Sequence, residues 1–552
     1  MDEDKITIDG KEHRLIGDKR QSLIDLLEEK NKSYEDNPTV AALVDGELMP
    51  LDTAISRDMD VKSIKLFSPL GKRVYRKTLC FLLCYASAKL FPERTLIIGH
   101  SLGDGFYFYY REREKPDIEK LKDKMRRAID EDLPIENKIL SSQEAISYVR
   151  KHNLIETEKL LLSCNDSFYR FCSLDGILEV YNEPMLSSTS LLEVWDLIEY
   201  EDGMLLRYPQ SRNPLSIMPF TDNPLLFSVF KENKRLARIL QTESLGALNQ
   251  KQREGKIDDL IMLSEIAQRN RIASIGEEIS KRKNVKLVFI SGPSSSGKTT
   301  FSLKLCNELR INGIEPLKIS LDDYYLPLEK VPLDENGEKD FEVLQSLDLE
   351  LLRKQINDLI SSKDVKLAHY DFKTRQHFFQ EKATKLKDNS ILVIEGIHGL
   401  NPNLLPNIDS SLVFKIYISA LTQLNLDSRS RISTTDNRIL RRMVRDNRTR
   451  NLDAVETLSR WPSVERGEKN NIFPFQNNAN VMINSSLEYE LGVLAPYAIP
   501  LLRSVKKEDG ECYANARRLL SFLELVYPIP AQNVPSDSLL REFIGGSIFS
   551  ST

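Results

Sequence analysis

The chain has 552 residues, with 77 Lys+Arg against 82 Asp+Glu and a formal net charge of -5. Hydrophobic residues make up 41% and charged residues 29%, which excludes a disordered chain, and the length suits about three or four folded domains. The near-neutral charge predicts no large basic surface for nucleic acid, and no stretch approaches the roughly 18 apolar residues of a membrane span.

The charged start Met1-Asp-Glu-Asp-Lys5 lacks a secretory pattern, so a cytoplasmic protein with no membrane partner is expected. Residues 1–70 read as short alternating strands with turn signals. Lys5–Ile8 and Lys11–Leu15 flank Asp9-Gly10, a type I′ hairpin dipeptide. A helical stretch at Ser22–Lys30 follows, then strands at Val40–Val44 and Ile64–Phe67. Hairpin, helix and two further strands make a β-grasp pattern.

Residues 71–230 read as a second, α+β unit. Helical spacing runs over Arg76–Leu90, strands over Arg94–Tyr110 around Gly103-Asp104-Gly105, and helices over Asp117–Glu131 and Ser142–Lys151. His100 is expected as a structural turn histidine, because no Cys or His stands at ligand spacing from it. The six cysteines include no C-x-x-C pair and sit mostly in apolar runs, which predicts reduced core thiols. Residues 231–284, charged around Lys251–Lys256 and Glu277–Lys283, are expected as linking helices.

From residue 285 to 552 the pattern changes to an α/β one. Short continuous apolar runs at Leu287–Ile290, Leu317–Ser320, Ile391–Ile394, Leu412–Ile418 and Val481–Ile483 alternate with helices, as in a parallel sheet covered on both faces. Gly292-Pro-Ser-Ser-Ser-Gly297-Lys298-Thr299 fits G-x-x-x-x-G-K-[ST] and lies between the first strand and a helix at Thr300–Arg310. Backbone N–H groups of such a loop curl round phosphates, and the helix start adds positive potential. Gly292, Ser294, Ser295, Ser296, Gly297, Lys298, Thr299 and Thr300 are therefore the candidate ATP contacts. Lys298 is expected to reach the β- and γ-phosphates, and Thr299 to meet Mg²⁺.

Three further features bear on the acceptor. Glu395 ends an apolar strand and is the expected Mg²⁺-side carboxylate. Asp322-Asp-Tyr-Tyr325 follows another strand, where a carboxylate can accept a hydroxyl proton; a helix-capping Asp pair is the alternative. Arg438, Arg441, Arg442 and Arg445 recur at spacings of three and four, which suits a flexible lid closing on phosphate or else an exposed, salt-bridged face.

Gly292–Thr299, Asp322–Tyr325, Tyr370-Asp-Phe372, Glu395-Gly396 and Arg438–Asp446, in that order, resemble the phosphoribulokinase/uridine kinase family of P-loop kinases over about residues 285–500. Trp461–Glu468, Asn471–Phe475, Glu490–Tyr497 and Leu540–Ser547 are similar to nucleoside kinases fused to threonyl-tRNA-synthetase-like amino-terminal modules, a TGS domain and an editing-type domain whose most recognisable piece is Gly99–Tyr107. The resemblance implies Asp322 as general base for a nucleoside 5′-hydroxyl, Tyr325 and Tyr370 in the nucleoside pocket, Arg442 and Arg445 near the phosphates, and Thr299 and Glu395 at Mg²⁺. It implies ATP, Mg²⁺ and a uridine or cytidine acceptor. Arg375 stands where uridine-cytidine kinases commonly carry a histidine, which keeps another acceptor open. Leu79–Ala86 lacks the paired histidines of editing-type domains, so no tRNA-editing hydrolysis is expected. An RNA-binding or regulatory role for the amino-terminal half, and a homo-oligomer, stay open.

Overall fold

A computed structural model describes residues 5–14, 21–27, 33–55, 59–210, 213–335, 337–371, 374, 376–422 and 424–549. The first unit is a five-stranded sheet in the order Lys11–Arg14, Lys5–Ile8, Asp60–Lys65, Thr39–Val44, Glu47–Met49. Asp9 and Gly10 take φ values of 48° and 79°, the geometry a type I′ turn requires, and the same dipeptide type recurs at Asp45-Gly46. Lys5–Ile8 then runs parallel to Asp60–Lys65, and Ile6, Ile8, Ala42, Val44 and Val61 close a small apolar core with Leu23. The helix expected over Ser22–Lys30 is a single turn, Leu23–Leu26, among the described residues; 28–32 lie outside them.

In the second unit the helix Pro69–Leu90 starts at the capping Ser68 and packs into the unit's core. Around it stand a sheet of Asp196–Tyr200, Gly203–Arg207, Gly105–Tyr110 and Leu96–Leu102 and a second of Ile135–Ser141, Phe168–Leu174 and Ile177–Val180. His100 is not a turn residue: the apolar run around it carries the strand through its position. It is buried there, stacked on Phe230, and burial pushes its imidazole down to about 3. Cys80, Cys84, Cys172 and Cys306 are buried free thiols. No described helix is long and apolar enough to cross a membrane.

The linking helices are Pro224–Ile239, Leu245–Arg253 and Ile257–Lys281. The first begins earlier than the expected boundary at 231, because Asn223 caps it and Pro224 fills its first turn. Residues 425–428 hold the second unit to the carboxy-terminal part: the Asn425 amide donates to Ile98 O at 2.8 Å, and Ile98 N donates to Ser428 O at 2.9 Å.

The carboxy-terminal sheet is wholly parallel, in the order Glu315–Ser320, Ser390–Glu395, Leu287–Ser291, Val413–Ser419, Val481–Asn484. Its runs of Val, Ile, Leu and Phe are buried against helices on both faces. Ser320 pairs with Glu395 and Ile290 with Glu395, so three carboxyl ends meet beside the loop that begins at Gly292.

Candidate active site

The loop from Gly292 to Thr299 turns between the strand Leu287–Ser291 and the helix Lys298–Ile311. A Cβ on Gly292 would stand 1.9 Å from Ile418 O, so only glycine fits against the neighbouring strand. Gly297 caps the helix at φ 83°, and the helix start faces the loop's interior. Lys298 curls over the loop and donates to Gly292 O at 2.9 Å and Pro293 O at 3.0 Å. Burial lowers its ammonium, while Glu395, Asp322 and Glu542 pull the other way.

Glu395 lies buried at its strand end and accepts from Thr299 Oγ1 at 3.4 Å and Ser320 Oγ at 3.3 Å, with Lys318 Nζ at 3.7 Å. Burial raises its carboxyl, Lys318 opposes this, and Asp322 adds to it. Thr299 hydroxyl and Glu395 carboxylate thus converge beside the phosphate loop. This donor pair fits Mg²⁺, which takes few protein oxygens and leaves its other positions to water and phosphate.

Asp322 and Asp323 have different surroundings. Asp323 accepts from Tyr370 N at 3.3 Å and sits 2.8 Å from the His369 ring, which fixes the hairpin strand Ala368–Asp371. Asp322 is exposed at the carboxyl end of its strand. Desolvation raises its carboxyl, Lys298 opposes this, and Asp323 adds to it. Tyr325 packs edge-on against Phe341 at 5.7 Å and Tyr370 at 6.1 Å, forming an aromatic corner next to Asp322. Arg375 and Phe372 lie outside the described residues.

The arginine helix, Thr434–Arg450, corrects the expectation of a flexible lid with four arginines on one open face. Ile439, Leu440, Met443 and Val444 anchor it in the largest apolar core. Arg438 and Arg441 are buried: Arg438 pairs with Glu468 and donates to Ser294 O at 2.8 Å, while Arg441 pairs with Glu490 and donates to Ser485 O at 2.9 Å. Only Arg442 and Arg445 remain at the cleft. Arg442 reaches Ser294 Oγ at 3.0 Å, and Arg445 is held by Asp446 at 2.8 Å. The structure therefore divides one sequence motif into two buried arginines, Arg438 and Arg441, that are paired with glutamates and brace the loop backbone, and two less buried ones, of which Arg442 touches the loop and Arg445 is held by Asp446.

Three acidic residues join the site that spacing alone did not single out. Glu468 accepts from Ser294 N at 3.1 Å, Glu542 accepts from Thr300 N at 3.1 Å, and burial pushes Glu342 up to about 7 against the pull of Arg442. Glu468 and Glu542 occupy N–H groups of the kind that hold phosphate oxygens. Both lie in stretches, Trp461–Glu468 and Leu540–Ser547, that stand out in the sequence without an assigned role.

The family model described as Phosphoribulokinase / Uridine kinase family matches residues 287–490. The uridine kinase of Ureaplasma parvum serovar 3 is 27% identical over 202 residues, covering 36% of this chain and 88% of that protein. The threonine–tRNA ligase of Carboxydothermus hydrogenoformans is 30% identical over 166 residues, 29% of this chain; the chain spans only 26% of that ligase. A solved structure described as a possible uridine kinase from Bacillus stearothermophilus is 21% identical, covering 39% of this chain and 98% of its own, with a TM-score of 0.28. Residues 287–490 are thus similar to the phosphoribulokinase/uridine kinase family, and the amino-terminal region is similar to threonine–tRNA ligases.

Proposed function

We propose that the chain is an ATP-dependent kinase that transfers the γ-phosphoryl group to the 5′-hydroxyl of a pyrimidine nucleoside, uridine or cytidine. The observation that carries this reading is Asp322: it is exposed at its strand end within electrostatic reach of Lys298, while its neighbour Asp323 is committed to Tyr370 N and His369. A carboxylate so placed takes the hydroxyl proton as the oxygen attacks the γ-phosphorus and the bond to the bridging oxygen of ADP breaks. Lys298, Arg442 and Arg445 balance the charge that spreads over the transferred group. The loop N–H groups and Thr300 hold the phosphates, and Tyr325 and Tyr370 offer an aromatic surface to the nucleoside. Mg²⁺, held by Thr299 and Glu395, supplies further charge neutralisation when bound.

In this reading the carboxy-terminal domain covers residues 285–552, the first unit is a TGS-like β-grasp domain over 1–70, and 71–230 is the synthetase-like domain. The mixed sheet that joins Lys5–Ile8 in parallel to Asp60–Lys65 supports the β-grasp assignment. The test is Asp322→Asn: ATP binding measured by calorimetry stays within about threefold, while turnover falls by about 10²–10⁴. Turnover equal to the parent chain's would remove Asp322 as base.

A further inference from the structure

Residues 424–433 lead into the arginine helix Thr434–Arg450, and the second unit holds them from several sides. Asn425 and Ser428 bond to Ile98. Asp427, 2% exposed, accepts from Arg429 N at 2.9 Å and Ser430 N at 2.8 Å through one carboxylate oxygen, and from Thr157 Oγ1 at 2.9 Å through the other. The Arg431 guanidinium stands 5.3 Å over the Phe106 ring.

One helix of the second unit, Pro69–Leu90, adds two charged contacts a single turn apart on the same face. Lys77 pairs with Glu179 and donates to Ser430 Oγ at 2.9 Å. Arg73 donates from Nε to Glu183 at 2.9 Å, and its guanidinium stands 3.6 Å from one oxygen of Asp436. Asp436 lies buried in the first turn of the arginine helix, and Arg518 reaches its other oxygen at 2.9 Å. Against burial, which raises it, Arg518 and Arg73 hold the Asp436 carboxyl below the usual carboxylate range. An arginine from each half of the chain thus shares one buried carboxylate.

The arginine helix carries this anchorage to the phosphate loop. Arg438, Arg441 and Arg442 follow Asp436 within about 9 Å along the helix axis. They donate to Ser294 O at 2.8 Å, Ser295 O at 3.4 Å and Ser294 Oγ at 3.0 Å. A helix whose apolar face is packed in a core shifts as a body, so a displacement at Asp436 reaches all three contacts.

We propose that Arg73 is a positioning residue for the phosphate loop: by holding Asp436 it sets the arginine helix, and through that helix the loop, so that the amino-terminal half governs nucleotide binding at the carboxy-terminal site. The inference rests on the reading of Gly292–Thr299 as an ATP site and on no particular acceptor. Arg73 bonds Glu183 and Asp436 rather than the loop, so its effect passes through the helix.

The experiment is titration of N-methylanthraniloyl-ATP, with Mg²⁺, into the full chain and into the chain carrying Arg73→Gln, Asp436→Asn or both, with a urea midpoint measured on each. Arg73→Gln and Asp436→Asn are each expected to weaken binding by the folded chain about three- to tenfold, and the two together by no more than the larger single effect. A residue that only stabilised the fold would lower the urea midpoint and leave that affinity unchanged. The Arg73 side chain is 33% exposed and Asp436 keeps Arg518 when it is removed, so Arg73→Gln alone decides the matter if Asp436→Asn does not fold. Binding that Arg73→Gln leaves within about twofold of the parent chain, or single effects that multiply in the double variant, would overturn the proposal. A parent chain that binds no analogue would instead overturn the ATP site itself, and the kinase reading with it.

Discussion

The backbone N–H of Thr300 donates to the carboxylate of Glu542 at 3.1 Å, joining residues 242 positions apart. The carboxy-terminal segment is held in that position by Arg448, which donates to Glu542 O at 3.0 Å and Phe543 O at 3.2 Å, and by Lys304, which donates to Asp537 O at 2.9 Å. An acidic group from the end of the chain thus sits on the first turn of the phosphate-loop helix.

A nucleotide phosphate at that N–H competes with the Glu542 carboxylate and is repelled by it. Glu542→Ala is expected to tighten ATP binding by about three- to tenfold, with kcat within about twofold of the parent chain. Initial-rate kinetics over an ATP titration check this. Weaker ATP binding would make Glu542 a positive contributor to the site.

The two classes of arginine respond differently to removal. Arg441 is fully buried and paired with Glu490, so Arg441→Met leaves an uncompensated carboxylate and costs about 3–5 kcal/mol of stability. Arg445 stands at the cleft beside Asp446, and Arg445→Ala costs under about 1 kcal/mol while lowering kcat by about 10–10². Denaturant melts and steady-state rates on the two variants separate a structural arginine from one that meets phosphate.

Glu342 gives the stability a pH dependence of definite sign. Burial raises its carboxyl from the ordinary 4.5 to about 7, so the folded chain holds a proton there that the unfolded chain releases. This contribution is fully present below about pH 4.5 and is lost as pH rises through about 7, a change of about 3 kcal/mol. Glu342→Gln keeps the neutral form at every pH and flattens the profile over that window. Urea midpoints measured from pH 5 to 8 on both chains read the difference.

The parallel sheet was legible because strands buried on both faces read as uninterrupted apolar runs, and the phosphate loop because its glycines and lysine keep fixed spacing. The arginine helix was half legible. Spacings of three and four placed four arginines on one side, but a buried arginine paired with glutamate and an exposed one look alike in sequence, and Glu468 and Glu490 lie far along the chain. Glu542 was hidden for the same reason: its partner is a backbone N–H brought near only by folding. His100 misled because it stands just before the turn read at Gly103-Asp104-Gly105, whereas the strand Leu96–Leu102 runs through it and its ring stacks on Phe230. The start of the linking helices was available in Asn223-Pro224, a cap followed by a first-turn proline.

The central claim is that the cleft between Asp322 and Lys298 phosphorylates a pyrimidine nucleoside. The most direct measurement is ADP release by the full chain with Mg²⁺ and ATP across uridine, cytidine, adenosine, guanosine and a set of sugar phosphates, with the phosphorylated product identified by mass spectrometry. The account predicts release that depends on uridine or cytidine and yields the 5′-monophosphate. Turnover confined to a sugar phosphate or a purine nucleoside, or none with any acceptor, would contradict it.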